Sequence, residues 1–333
     1  MLFYHFFLLC LNVINSKYFN GLLIYNYKKM KYYYPTTVNI GDYIQSLAAE
    51  QYLKDKKNII YLDRDNLKKY DGKKVKLLLN CFYKINYKTK IISQKILPLF
   101  ISFHINNQEK IYLMKKTLKK YEPIGARDFD TMYALQKNGI KSYYSSCLTL
   151  TLGKNYKSIV KKNIIYLVDY IFNKNVLLDL EVIKILKFYQ PDEVKFLYHE
   201  KIKIKTTTQK ERFDLAKLYL KKYSQAILVI TRRLHAALPC VGMDVPVILF
   251  NINKKKEPRF SGYAETFVNF MGYYSNTSKF RIEILTDEYG YVTNDEQYKY
   301  YVDKMENVIN QFFNYSCLFN VFIYKFLILI YLI

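Results

Sequence analysis

Thr231, Arg232, Arg233 and His235 fall within the run Ile230-Thr231-Arg232-Arg233-Leu234-His235-Ala236-Ala237-Leu238-Pro239. Two guanidiniums offer forked hydrogen bonds suited to a phosphate or a carboxylate. An imidazole adds a proton that titrates near neutrality. The run follows an apolar stretch, Ala226 to Ile230, that reads as a buried strand, and it turns into a helix. A helix start presents backbone N–H groups, and its dipole favours an anion. Cations at that position oppose the dipole, so packing alone gives no reason for them. The competing reading is a surface helix with a basic first turn. The residue types favour a binding site for an anionic substrate.

The elements that must hold this run form an alternating series. Leu22 to Tyr25 reads as a first buried strand, and Asn39-Ile40-Gly41-Asp42 leads into a helix with Ile44, Leu47, Ala48 and Tyr52 on one face. Val75 to Leu79 and Leu97 to Phe103 read as core strands. Asp128 caps a helix through Met132 and Leu135, Asn138-Gly139 stops it, and Ile140 to Tyr144 returns as a strand. Cys147 to Leu152 alternates at period two, as a strand does. After Gly153 the alternation resumes with strands at Ile164 to Val168, Val194 to Tyr198, Ala226 to Ile230 and Val245 to Phe250. Helices at Val176 to Phe188 and from about Gln209 lie between them. Alternation of this kind implies parallel sheets covered on both faces.

The series predicts an α/β fold of two Rossmann-like domains facing across a cleft, spanning residues 18–155 and 156–290. A bracing helix follows at 291–315, with Thr293 and Glu296 as a capping box and Tyr298, Tyr301, Val302, Met305, Val308, Ile309 and Phe312 as one apolar stripe. An apolar tail completes the chain at 316–333.

Composition narrows the class. At 333 residues and 51% hydrophobic the chain buries a sizeable core. The net charge of +24 comes from 52 basic residues of which only seven are Arg. The lysines are scattered, often beside Tyr, with no long basic block, which excludes a nucleic-acid partner and leaves a charged glycan or an acidic membrane surface. Three of the seven arginines, Arg127, Arg232 and Arg233, fall in the two most site-like stretches. The five cysteines, Cys10, Cys81, Cys147, Cys240 and Cys317, are widely spaced and odd in number, which argues for a reducing compartment and against a structural zinc or a disulfide framework. Met1 to Ile14 lacks the marks of a signal peptide, and Cys317 to Ile333 is at the lower limit for a membrane span. These ends predict a cytoplasmic protein in peripheral contact with the inner face of the cytoplasmic membrane.

Four segments in order resemble the polysaccharide pyruvyl transferases. Asn39-Ile40-Gly41-Asp42 with Gln45-Ser46-Leu47-Ala48 is similar to that family's N-terminal turn and helix. Pro98-Leu99-Phe100-Ile101-Ser102-Phe103-His104-Ile105 resembles a strand of one bacterial branch. Ala126-Arg127-Asp128 through Gly139-Ile140, with Cys147 to Leu152, resembles the central block. Thr231 to Pro239 resembles the C-terminal signature. The resemblance implies a glycosyltransferase-B-like architecture and transfer of pyruvate from phosphoenolpyruvate, as a ketal, onto a sugar of a cell-surface glycan or its lipid-linked precursor. It places phosphoenolpyruvate on the C-terminal domain, the acceptor on the N-terminal one, and the donor site at Arg233, Leu234 and His235.

On that reading Arg233, with Arg127, binds the donor's anionic groups, and His235 delivers a proton to C3. Asp42 or Asp128 acts as base, and Asn39, Gly41 and His104 line the substrate. No metal and no resident cofactor is expected. Plainer readings stand beside each role: His235 or His104 as a satisfied core histidine, Arg127 as an ion pair to Asp128, Asp128 and Asp42 as helix caps, Gly41 as a permissive backbone and Arg232 as a solvated side chain. Ser146 stands where the family has Gly, and Asn80-Cys81-Phe82 where related sequences read Asn-Gly-Trp. The rival functions are a nucleotide-sugar glycosyltransferase of the same architecture, a non-catalytic glycan-binding relative, and a membrane-surface binding protein.

Overall fold

The computed structural model describes residues 18–24, 37–83, 92–105, 108–200, 202–203, 208–253, 257–273 and 279–314. The apolar ends, Met1 to Ile14 and Cys317 to Ile333, lie outside these residues, as does Tyr25. Among the described residues no helix is long and apolar enough to cross a membrane.

From the N-terminal side, β1 (Phe19–Ile24), β2 (Thr37–Val38) and helix α1 (Ile40–Glu50) lead to β3 (Ile60–Asp63), β4 (Val75–Leu78), β5 (Phe82–Tyr83), β6 (Ile96–Leu99), β7 (His104–Ile105) and β8 (Ile124–Ala126). Helix α2 (Phe129–Lys137), β9 (Ser142–Tyr144), β10 (Ile164–Val168), helix α3 (Val176–Tyr189), β11 (Glu193–Leu197) and β12 (Ile202–Lys203) follow. Helix α4 (Gln209–Ser224), β13 (Leu228–Thr231), helix α5 (Leu234–Gly242), β14 (Val247–Asn251), β15 (Asn269–Tyr273), β16 (Phe280–Glu283) and helix α6 (Tyr298–Asn314) come last. This is a mixed α/β fold with parallel sheets and helices.

Of the described residues, 18–24, 49–147 and 303–314 form one compact unit, and 37–48 with 148–302 form the other. The first unit holds a parallel sheet in the order β3-β1-β4-β6. Its core is built from Leu23, Leu62, Val75, Leu77, Phe100, Phe103, Ile124 and Leu135. Short parallel pairs, β5 with β7 and β8 with β9, extend it. The second unit holds a six-stranded sheet, β11-β10-β13-β14-β15-β16, parallel except for β16. Its strands β10, β13, β14 and β15 are buried along their whole length, as strands covered on both faces must be.

Four local expectations change. Helix α1 belongs with the C-terminal half of the chain rather than with residues 18–155. Its Tyr43 ring packs on Phe213 at 5.2 Å and its hydroxyl accepts from Arg212 Nη1 at 3.2 Å, while Ile40 N donates to His199 O at 3.0 Å. The strand expected over Leu97 to Phe103 stops at Leu99. Ser102 adopts φ +56°, its N–H bonds Ser145 Oγ at 2.9 Å, and the chain restarts as β7.

Residues 148–152 form a 3-10 turn, not a strand, and all five are buried. Their Leu/Thr alternation marks no polar face, because Thr151 Oγ1 returns its proton to Leu148 O at 2.7 Å. The turn lies so close to α5 that a Cβ on Gly242 would collide with the Leu150 carbonyl, and one on Gly153 with the Gly242 carbonyl. The last helix begins at Tyr298, so Thr293 caps nothing; its N–H bonds Leu285 O at 2.9 Å instead. The predicted stripe does pack, with Tyr298, Met305, Val308, Ile309 and Phe312 buried.

Candidate active site

Within the second unit β13 ends at Thr231, and α5 starts at Leu234 with Arg233 as its N-cap residue. Thr231 Oγ1 accepts from Arg233 N at 3.0 Å, which fixes the turn. Pro239 explains the geometry of the histidine four residues earlier. A proline inside a helix has no N–H for the carbonyl at i−4 and crowds it. His235 accordingly takes φ −82°, ψ 15°, outside the helical range, and α5 kinks there.

Arg233 Nε donates to Asp169 Oδ2, and Nη1 donates to Glu200 Oε1 at 2.9 Å. Burial works against the guanidinium's charge, but Glu200 and Asp169 outweigh it and hold the group more firmly protonated than usual. Asp169 follows β10 directly and sits at φ +52°, a left-handed conformation that costs a non-glycine residue on the order of 1–2 kcal/mol. That turn aims its carboxylate at Arg233. The two carboxylates supply the reason for a cation at a helix start that the sequence by itself withheld. Two guanidinium nitrogens are thus committed, and Nη2 has no hydrogen-bond partner among the described residues. Arg259, bonded to Glu257 at 2.6 Å, is close enough for Glu200 to favour its charge and Arg233 to oppose it.

The Asn39-Gly41-Asp42 turn joins this group. Asn39 Oδ1 accepts from Gly41 N at 3.0 Å, and Asn39 O from Asp42 N at 3.1 Å. A Cβ on Gly41 would lie 3.1 Å from both Cβ and Nδ1 of His235, so a side chain here would press on the imidazole. Asp42 is half-buried and accepts from Gln45 Nε2 at 3.5 Å.

His199 ties the turn to the arginine. Its O accepts from Ile40 N at 3.0 Å and its N donates to Asp169 Oδ2 at 3.4 Å. Its ring is buried, with Nε2 2.8 Å from the Tyr223 hydroxyl. Burial, helped by the Arg233 charge and opposed by Glu200, pushes the imidazole down to about 3, so it is neutral at physiological pH.

The first unit holds a second group. His104 Nδ1 lies 2.6 Å from Asp128 Oδ2 and 3.1 Å from Thr131 Oγ1. Asp128 is the N-cap of α2, its Oδ1 accepting from Thr131 N at 2.8 Å. Arg127 Nε stands 3.8 Å from Asp128 Oδ2, and all three side chains are almost wholly buried. Burial favours the protonated acid, but His104, Arg127 and Thr131 outweigh it and hold the Asp128 carboxyl below its ordinary range. Phe82 stacks on the His104 ring at 5.6 Å.

Of the predicted residues, Asn39, Gly41, Asp42, Arg233, Leu234 and His235 thus lie in the second unit, and His104, Arg127 and Asp128 in the first. Arg232 is exposed. Sequence reasoning passed over Asp169, Glu200, His199, Thr131 and Arg259. Asp169 was within reach, as an acid immediately after a buried strand of an α/β sheet. Among the described residues no group of three or more His, Cys, Asp or Glu side chains is placed to hold a metal ion.

The family model described as polysaccharide pyruvyl transferase matches residues 81–254, just over half of the 333. The chain belongs to that family, and the family is one of transferases acting in polysaccharide biosynthesis. Among solved structures the chain is similar to a functionally uncharacterised protein from Klebsiella pneumoniae subsp. pneumoniae NTUH-K2044, at 11% identity and a TM-score of 0.43, over 77% of this chain and 92% of that one. No curated protein matches the chain.

Proposed function

We propose that the protein transfers pyruvate from phosphoenolpyruvate, as a ketal, onto a sugar of a cell-surface glycan or its lipid-linked precursor. The observation that carries the reading is Arg233: it is fixed by Asp169 and Glu200 with Nη2 uncommitted among the described residues, at the start of α5 and two residues from the kinked His235. A doubly anionic donor needs such an oriented guanidinium. In this reading the two units are the Rossmann-like halves of a glycosyltransferase-B-like architecture, with the donor on the second and the acceptor on the first.

The chemistry then runs in balanced steps. One sugar hydroxyl adds to C2 of the enol ether while His235 gives a proton to C3 and a carboxylate takes the hydroxyl proton. Phosphate leaves with its bonding pair and carries off the first hydroxyl's proton from the carboxylate, which then takes the second hydroxyl's proton as the ketal closes. Asp42 suits the base role better than Asp128, whose carboxylate is engaged by His104 and Thr131. Arg127 and His104, with Asp128, lie in the first unit and would serve the acceptor side in this reading.

The test is phosphate release from phosphoenolpyruvate across a panel of cell-surface polysaccharides and lipid-linked oligosaccharides. Release that requires an acceptor, and that falls on the order of a hundredfold in His235→Gln while donor binding persists, supports the reading. Acceptor-dependent turnover of nucleotide sugars with none from phosphoenolpyruvate would replace it with the glycosyltransferase.

A further inference from the structure

Strand β11 is an edge of the six-stranded sheet, and four of its five residues are exposed. On the side facing β10, Asp169 N donates to Leu197 O at 2.8 Å and Glu193 N to Asn163 O at 3.4 Å. Backbone groups of successive strand residues point to alternate edges, so the N–H and C=O of Val194 and Phe196 are directed outward. Their side chains are also uncovered, at 37% and 43% exposure. Soluble proteins ordinarily blunt such an edge, because it is a template for another strand. Helix α3, the crossover between β10 and β11, adds to the exposed apolar area with Val176 at 70%, Leu177 at 50% and Leu180 at 51%.

The sequence of the edge is complementary to itself. If β11 pairs antiparallel with a second β11 about a two-fold centred on Val194, Val194 lies opposite Val194, and Glu193 lies opposite Lys195 of the other copy. Because the outward-directed Val194 would form the hydrogen-bonded pair, Glu193 and Lys195 would form the non-bonded pair, in which side chains approach more closely. Opposite charges directly across a strand pair are stabilising there. Within one chain the same two residues bridge each other at 2.6 Å, which leaves the edge neutral rather than repulsive. The two-fold would stand perpendicular to the sheet, so both copies of α3 would flank the joint on the same side.

We infer that β11 is a homodimer interface, joining the six-stranded sheets of two copies of this chain edge to edge. The partner is a second copy because this register sets Val194 against Val194 and each Glu193 against a Lys195, and a two-fold contact of this kind is closed.

Sedimentation equilibrium of the full chain, at concentrations up to about 100 µM, tests this with three variants. The wild type should dimerise. Glu193→Lys should weaken the dimer by about tenfold or more through two like-charge pairs, and Glu193→Lys/Lys195→Glu should restore it. Val194→Pro removes an N–H that faces solvent in one copy, so it should leave the monomer folded and abolish the dimer. Thermal unfolding of each variant separates loss of the interface from loss of the fold. A monomeric wild type overturns the inference, as does a dimer indifferent to Val194→Pro or a charge reversal that the double variant fails to rescue.

Discussion

Lowering the pH should destabilise the folded protein through His199. Its imidazole is buried and pushed down to about 3, against about 6.5 in an unfolded chain. Between those values the unfolded state binds a proton that the folded state refuses. Stability therefore falls as pH drops below about 6.5, by about 1.4 kcal/mol per unit, and the loss levels off only near 3. From pH 7 to pH 5 the loss from this one group is about 2 kcal/mol. Glutamine at this position keeps a hydrogen-bond partner for the Tyr223 hydroxyl but does not titrate. Urea unfolding of wild type and His199→Gln at both pH values isolates the term, since every other titrating group is shared. The wild type should lose about 2 kcal/mol more than the variant across that interval. Equal losses in the two proteins would refute the reasoning, and would mean that the imidazole finds water or a proton acceptor in the folded state.

Three further substitutions have definite expectations. Gly41→Ala brings a methyl within 3.1 Å of the His235 ring. Turnover should fall on the order of tenfold by displacement of the imidazole, with a melting temperature close to wild type. Gly242→Ala drives a Cβ into the Leu150 carbonyl, backbone against backbone; unfolding in urea should show a loss of about 3 kcal/mol or more. Ser146→Gly acts in the other direction, because Ser146 holds φ +62° where a glycine is unstrained. A gain of about 0.5–1 kcal/mol should appear as a higher urea midpoint.

The last of these shows how far a single sequence reaches. Ser146, noted in the sequence as standing where the resembled family has Gly, does hold a positive φ. Strands β10, β13 and β14 were readable because they are almost wholly apolar: Ile164 to Val168 is predicted and found with the same ends, whereas β15 and β16 were not expected. The Leu148 to Leu152 turn was misread because period-two alternation carries information only when one face meets water, and here both are buried. Arg233 and His235 announced themselves by residue type and spacing. Their partners did not. Asp169, Glu200 and His199 reach Arg233 from the ends of neighbouring strands, 33 to 64 residues away where the side chains bond. Likewise the affiliation of α1 depends on Tyr43 meeting Phe213 and Arg212, a long-range contact that no local pattern encodes.

The central claim is that Arg233 anchors phosphoenolpyruvate, and thermal unfolding in its presence tests this most directly. A ligand at about a hundred times its dissociation constant stabilises by about 2.7 kcal/mol. Wild-type protein should show that shift with phosphoenolpyruvate and none with uridine diphosphate sugars, and Arg233→Ala should lose it while remaining folded. Stabilisation of the wild type by a nucleotide sugar alone, or an equal response to phosphoenolpyruvate in Arg233→Ala, would contradict the account.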